Sequence, residues 1–207
     1  MSAAAVPRSV QVDVWFDLIC PWCWIGKHYL DQARARLAES DPDLAVQVRW
    51  HSVQLIPDVP PEGWPRAAFY ERRLGSPEAV RARQAQVLEA AQQAGAPIDF
   101  SRMSIFPNSA RAHQLLAQAR SQLPAEGFEA VLHRLLEGYF VRGEDLGSAP
   151  VLAAIAAEHG VNQSLVAQGL FGSSPGGVPL FAFNQRFALS GAQPAESLWA
   201  AMRESVL

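Results

Sequence analysis

The sequence predicts an α/β protein with an open mixed sheet that is interrupted by an all-helical segment. Two early segments alternate between apolar and polar residues, and a segment with helical periodicity joins them. A long run of helical periodicity follows, and two short apolar segments meet at a turn near the end. A strand, helix, strand unit is most economically parallel, whereas a hairpin is antiparallel, so the predicted sheet is mixed.

The first half of the sheet is predicted between residues 10 and 53. Val10 to Phe16 and Leu44 to Val53 alternate with a period of two and are expected to be strands. From Pro21 onward, apolar residues recur at steps of three and four, which predicts a helix. The turn residues Asp41-Pro42-Asp43 end that helix.

Four prolines between residues 57 and 65 stop the sheet, and the periodicity then becomes helical. Helices are expected at Arg66–Leu74, Pro77–Ala94, Ser109–Gln122 and Ala125–Tyr139. The predicted organisation is therefore an α/β domain whose first half is 8–61, an all-helical insertion at 62–147, and the second half of the domain at 148–207.

The second half is predicted to contain two short helices, a hairpin and a terminal helix. The expected bounds are Ala149–Ala157 and Asn162–Gln168 for the helices, Leu180–Phe183 and Arg186–Leu189 for the hairpin strands, and Pro194 for the start of the last helix.

Composition excludes several classes of function. The chain has 207 residues, of which 49% are hydrophobic, and a formal charge of -3. It lacks the clustered lysine and arginine that a nucleic-acid partner requires. It also lacks a run of about 20 apolar residues and a leader-like start. We therefore expect a cytoplasmic protein that contacts neither nucleic acid nor membrane.

The strongest signal is the motif Cys20-Pro21-Trp22-Cys23, placed where the first predicted strand ends and the first helix begins. A helix N-terminus has unpaired N–H groups and a partial positive charge, which stabilise a cysteine thiolate. We therefore expect Cys20 to be the exposed nucleophile. Cys23 lies one turn further on, close enough to form a disulfide with Cys20 or to resolve a mixed disulfide.

A zinc half-site and a pair of core cysteines are two other interpretations of the motif. Zinc would need a second pair of ligands, and the five histidines show no short paired spacing after the cysteines. Core cysteines would not normally flank a proline at a strand–helix boundary. The sequence therefore predicts redox chemistry without a metal or a tightly bound cofactor.

A second element, Gly177-Val178-Pro179, precedes the predicted hairpin. Proline is tolerated at a strand entrance, and its peptide bond can be cis or the ordinary trans. A cis Pro179 would face the cysteines, and the backbone of Val178 could then pair with an extended substrate peptide. Trp22 adds a large apolar surface that fits part of a peptide-binding groove.

These motifs resemble the DsbA family of thioredoxin-fold oxidoreductases, in particular its FrnE-like branch. The resemblance runs in order along residues 10 to 205. The residues that carry it are Phe16-Asp17, Cys20 to Lys27, Gln54 to Asp58, Pro107 to Ser109, Ala112-His113, Gly177 to Pro179 and Ser190 to Pro194.

The resemblance implies a thioredoxin fold interrupted by a helical domain, with a cis Pro179. It also implies that Cys20 is the nucleophile and Cys23 the resolving cysteine. Asn108 and His113 are expected to contribute to substrate binding, while an interior histidine with satisfied hydrogen bonds is the alternative for His113.

Asp17, three residues before Cys20, also matches the family. A free carboxylate there would raise rather than lower the pKa of a thiol unless it is hydrogen-bonded. Proton transfer and capping of the loop are the two roles open to it.

Two features depart from the family pattern. Relatives carry a further helix ahead of the Val-Pro strand, whereas here only Phe171 to Gly177 separates Leu170 from Val178. Either this helix is deleted, or a segment is missing from this sequence. Related glutathione-dependent isomerases of the 2-hydroxychromene-2-carboxylate type carry serine at the position of Cys20. This chain retains both thiols.

The sequence thus predicts a dithiol-disulfide oxidoreductase that exchanges disulfides with protein substrates or with small thiols such as glutathione. The enzymatic alternative is a glutathione-dependent isomerase. A binding module or holdase, using the apolar face of the helical domain with the thiols incidental, is a third interpretation from a different class.

Overall fold

The computed structural model describes residues 8–163, 171–172, 174 and 176–207. The strands are β1 (Arg8–Phe16), β2 (Leu44–Ser52), β3 (Trp64–Pro65), β4 (Ile105–Phe106), β5 (Leu180–Phe183) and β6 (Phe187–Ser190). The α-helices are α1 (Pro21–Ser40), α2 (Arg66–Leu74), α3 (Pro77–Gln93), α4 (Ala110–Gln122), α5 (Ala125–Glu137), α6 (Ala149–Glu158) and α7 (Ala195–Glu204).

A four-stranded mixed sheet forms the centre of the fold, in the order β2-β1-β5-β6. β1 and β2 are parallel over their full length, from Arg8 opposite Leu44 to Phe16 opposite Ser52. β5 pairs antiparallel with both β1 and β6. The predicted mixed sheet is confirmed, and its inner strand β1 delivers the chain directly to the cysteine motif.

The hairpin lies where the sequence predicts it, except that its second strand starts and ends one residue later, at Phe187–Ser190. Asn184 and Gln185 form the turn with φ angles of 48° and 57°. This left-handed conformation is favoured for asparagine, which makes the turn compatible with the sequence. The predicted helix Asn162–Gln168 falls on residues outside the described part of the chain, apart from Asn162 and Gln163.

Helices α2 to α5 form the segment between β2 and α6 at the predicted positions, but the expectation that this segment is all-helical is wrong. Trp64 and Pro65 pair antiparallel with Phe106 and Ile105 in a short ribbon. Two residues per strand are too few to produce a periodic signal, so the pattern of apolar residues in the sequence could not predict these two strands. The rings of Phe69 and Phe106 stack at 4.0 Å and fix the ribbon on α2.

α5 ends before the predicted bound, and the chain continues as a π-helical turn, Gly138–Arg142. α1 packs against α7, so the first and last helices of the described chain lie side by side. Within the described residues, no helix has the length and apolar character needed to cross a bilayer.

Candidate active site

The two cysteines lie at the start of α1, as predicted. Cys20 is the N-cap residue, with extended backbone angles, and Pro21 follows at the first helical position. The carbonyl of Cys20 accepts from the backbone N–H groups of Cys23 at 3.0 Å and Trp24 at 3.3 Å. The end of β1 therefore places the Cys20 thiol at the positive end of a 20-residue helix.

Cys20 is only 7% exposed and Cys23 only 4%. The expectation that Cys20 is exposed is therefore wrong for this conformation, because the loop at Val178 covers it. The Cys20 thiol donates to the carbonyl of Val178 across 3.9 Å. The bond between Val178 and Pro179 is cis, and Pro179 is buried beside the motif.

Cys20 and Cys23 are free thiols whose side chains hydrogen-bond to each other. Burial raises the pKa of the Cys23 thiol well above its ordinary value, and the hydrogen bond to Cys20 raises it further. A hydrogen bond with the Asp17 main chain lowers the pKa of Cys23, while the charge of Asp17 raises it. Cys23 therefore holds its proton at neutral pH and needs a base before it can react.

A buried polar network lies behind the cysteines. The Asp17 carboxylate lies 3.0 Å from Nε2 of His113, and it accepts from the backbone N–H of Leu55 at 2.8 Å. Nδ1 of His113 lies 2.9 Å from Oγ of Ser52. Asp17 and His113 are both 0% exposed. One chain of hydrogen bonds thus joins β2, α4 and the loop after β1, and Asp17 at its end acts on the Cys23 thiol.

This placement disagrees with a substrate-lining role for His113 and matches the alternative of an interior histidine. Both ring nitrogens have partners within the protein, and no ring atom faces solvent. The sequence could not predict that His113 pairs with Asp17 or that Ser52 hydrogen-bonds to His113. These residues lie far apart along the chain and meet only when α4 packs on the sheet.

Asn108 is half-buried, and its side chain is engaged in the loop ahead of α4. Its Oδ1 accepts from the backbone N–H of Ala110 at 2.9 Å and from Nε2 of Gln54 at 3.0 Å. Its amide donates to the carbonyl of Val59. A contribution of Asn108 to substrate binding stays a prediction.

Gly26 permits the close approach of α1 to the cis-proline loop. A Cβ at this position would lie 3.1 Å from Cζ of Phe181 and 3.2 Å from Cγ of Pro179. Any larger residue would push α1 away from the loop that covers Cys20. A packing role for Gly26 could have been suggested by its place three residues after Cys23, but periodicity gives no signal for it.

Trp22 and Trp24 have different environments. Trp24 is buried in the core, where its Nε1 donates to the carbonyl of Pro97 at 2.9 Å. Trp22 is half-buried and lines, with Pro21, a cavity of about 480 Å³. The cavity therefore begins inside the cysteine motif itself. The described residues contain no cluster of three or more potential metal ligands.

A family model of the DSBA-like thioredoxin domain matches residues 11–174. The chain therefore belongs to this family of thioredoxin-fold oxidoreductases and isomerases, which act on thiol or disulfide substrates. The family resemblance predicted from the sequence is confirmed, and assignment to the FrnE-like branch stays a prediction.

Solved structures agree on the fold. A probable DsbA oxidoreductase from Streptomyces coelicolor has a TM-score of 0.80 at 22% identity, over 95% of this chain and 89% of that one. The cytosolic disulfide reductase DsbM from Pseudomonas aeruginosa, solved with GSH, has a TM-score of 0.60 at 18% identity, over 95% of each chain. A 2-hydroxychromene-2-carboxylate isomerase has a TM-score of 0.57 at 13% identity, over 94% of this chain and 95% of that one.

Proposed function

We propose that this protein is a dithiol-disulfide oxidoreductase that uses Cys20 as nucleophile and Cys23 as resolving thiol. The observation that carries the proposal is the pair of hydrogen-bonded thiols at the N-terminus of α1, with Cys23 the more deeply buried of the two. A helix N-terminus stabilises the thiolate that attacks a disulfide, while the buried partner waits for the mixed disulfide.

The reaction starts when the Cys20 thiolate attacks one sulfur of a substrate disulfide. A bond forms between that sulfur and Cys20, and the other substrate sulfur leaves as a thiolate that takes a proton from water. Cys23 then loses its proton and attacks the Cys20 sulfur, which releases the second substrate thiol. Two electrons pass from the protein dithiol to the substrate, and the reverse sequence oxidises a substrate dithiol.

Asp17 is the proposed acceptor of the Cys23 proton. The Asp17 main chain contacts the Cys23 sulfur, and the charge of the Asp17 carboxylate acts on this thiol. His113 holds the Asp17 carboxylate from the far side and is fixed in turn by Ser52. We assign His113 as a positioning residue, because it contacts the base and has no contact with the reacting sulfurs.

Substrate contacts are proposed for three groups around Cys20. The backbone of Val178, beside cis Pro179, pairs with an extended substrate segment. Trp22 supplies apolar contact next to the nucleophile. Asn108 is the third proposed group, and it is linked to the site through Gln54, whose neighbour Leu55 donates to Asp17.

The proposed substrates are disulfide- or thiol-containing proteins or glutathione, and the proposed location is the cytoplasm. A pair of cysteines at redox spacing, with no further cysteines for a structural disulfide, supports a reducing compartment. DsbM, which shares the fold, is cytosolic and was captured with GSH.

Trapping with Cys23→Ser tests the proposal. This variant should accumulate covalent adducts through Cys20, seen by intact mass and reversed by dithiothreitol, because the resolving step is lost. Cys20→Ser should lose insulin reduction and form no adduct. Glutathione-dependent turnover of 2-hydroxychromene-2-carboxylate that survives Cys20→Ser would show an isomerase instead, and suppression of aggregation that survives both changes would show a holdase.

A further inference from the structure

The cavity beside the cysteine motif has an arginine-rich wall. It lies between the start of α1 and the helices α2 and α3 of the insertion, and its lining includes Pro21, Trp22, Tyr70 and Phe100. Its volume of about 480 Å³ is in the range that holds small organic ligands. The arginines Arg66, Arg73 and Arg83 line the same space.

Arg66 is the most unusual residue of this wall. It is 6% exposed, and its buried Nε has no hydrogen-bond partner among the described residues. Its guanidinium lies against two aromatic faces, 4.5 Å from the ring centre of Phe100 and 4.9 Å from that of Tyr70. Burial of the Arg66 Nε–H group without an acceptor is costly, so this group is poised to donate a hydrogen bond to a bound anion.

The other two arginines extend the positive charge towards the cysteines. Arg83 lies over the ring of Trp22 at 5.4 Å, and Arg73 is exposed at the end of α2. In the described part of the chain, none of these three arginines forms an ion pair. The cavity therefore presents uncompensated positive charge on a wall that also offers aromatic contact, and its lining residue Pro21 directly follows the nucleophile in the chain.

We propose that this cavity binds the anionic group of a small thiol or disulfide substrate, a carboxylate or a phosphate, while its sulfur reacts with Cys20. The proposal rests on the proposed oxidoreductase function and names its substrate class. Guanidinium groups bind both anions through paired N–H donors. Arg66 anchors the anion, Arg73 and Arg83 attract it, and Trp22 and Phe100 contact the apolar part of the molecule.

The chemical step remains the thiol–disulfide exchange described above. The Cys20 thiolate displaces one half of the small disulfide, which leaves as an anionic thiol, and Cys23 displaces the other half. The protein dithiol supplies both electrons in a single turnover, so a pre-reduced sample needs no further reductant.

The test compares second-order rate constants of the pre-reduced protein with three disulfides. Glutathione disulfide carries carboxylates, bis(2-hydroxyethyl) disulfide is neutral, and cystamine is cationic. Dividing each rate by that of the neutral compound removes any change in the nucleophilicity of Cys20. In the native protein, the glutathione ratio should exceed the cystamine ratio and should fall as salt is added.

Arg66→Gln should lower the glutathione ratio by roughly ten- to a hundred-fold, as expected for a buried hydrogen bond to a charged group. Arg83→Gln, at an exposed site, should lower it by a smaller factor without a folding risk. The matched control is Arg81→Gln, on the same helix and already paired with Glu78 at 2.6 Å, which should leave the ratio unchanged.

Coenzyme A disulfide separates the two anion sources. If Arg66→Gln lowers the rate ratio of coenzyme A disulfide but not that of glutathione disulfide, the cavity binds phosphate. If it lowers the ratio of glutathione disulfide but not that of coenzyme A disulfide, the cavity binds carboxylate. The proposal is overturned if Arg66→Gln and Arg83→Gln leave both ratios unchanged, or if Arg81→Gln lowers them equally. If the native protein does not react even with the neutral disulfide, the proposed oxidoreductase function itself is refuted.

Discussion

Replacement of Asp17 by asparagine separates proton transfer from folding. Asparagine keeps one oxygen to accept from the N–H of Leu55, where the native bond is 2.8 Å long. In the native protein, Nε2 of His113 lies 3.0 Å from the carboxylate. The asparagine amide can donate to this Nε2 when His113 is in the tautomer whose Nδ1 donates to Ser52. Every hydrogen bond of the network is then retained, so stability should change by less than about 1 kcal/mol.

The kinetic effect should be much larger than the effect on stability. Burial raises the pKa of Cys23, so only a small fraction of this thiol is ionised at neutral pH. A positioned base contributes roughly 10²- to 10⁴-fold to a proton-transfer step. Asp17→Asn should therefore slow the attack of Cys23 on the mixed disulfide by a factor in that range, while Cys20 still forms the mixed disulfide.

The assay mixes pre-reduced protein with bis(2-hydroxyethyl) disulfide, quenches with acid and follows the mixed disulfide by intact mass. The native protein should pass to the internal disulfide without accumulating the adduct, whereas Asp17→Asn should accumulate it. In the variant, the resolving rate should rise about tenfold per pH unit below the pKa of Cys23, because hydroxide then forms the thiolate.

Asp13→Asn provides a matched control. Asp13 is another buried carboxylate, on β1 itself, and it lies 2.7 Å from Nε2 of His51. A resolving rate that stays native in Asp17→Asn, or that falls equally in Asp13→Asn, would show that Asp17 is not the base for Cys23.

Two further predictions concern the surroundings of the site. Gly26→Ala gains about 1 kcal/mol in helix propensity, but its Cβ would meet Phe181 at 3.1 Å and Pro179 at 3.2 Å. Such overpacking costs about 1–3 kcal/mol, so the gain in propensity is at least cancelled and the urea midpoint should not exceed the native one. A midpoint that rises, as the gain in helix propensity alone would produce, would contradict the packing. Burial, with the nearby charge of Lys27, lowers the pKa of His28 from 6.5 to about 4. The unfolded chain then binds more protons between these pH values, so stability should fall by about 1–2 kcal/mol on acidification, after allowance for the half-exposed ring. His28→Gln should flatten this part of a pH–stability curve, whereas an identical effect of His159→Gln would refute the assignment.

The position of the reactive pair could be predicted from the sequence because only local signals fix it. The period of two in β1, the proline at the first helical position and the spacing of the cysteines all act within 20 residues. The short ribbon of Trp64 and Phe106 could not be predicted, because tertiary contact with Phe69, and no repeating pattern, holds it in place.

The residues that surround the thiols could be predicted only in part. Asp17 was identifiable by its spacing from Cys20, but its role depends on His113, 96 residues away. The burial of Arg66 against Phe100 follows from the packing of α2 and leaves no trace in periodicity. Arginine in the first turn of a helix ordinarily indicates a solvated side chain.

The insertion between β2 and α6 contributes a residue both to the network behind the thiols and to the cavity beside them. α4 brings His113 under Asp17, and the start of α2 brings Arg66 beside Trp22. The strand–helix unit that carries the cysteines contains neither the partner that orients the base nor the charge that selects a substrate. Because the two contributions come from different helices, a substitution at Arg66 should change substrate preference without changing the resolving rate, and a substitution at His113 should do the opposite.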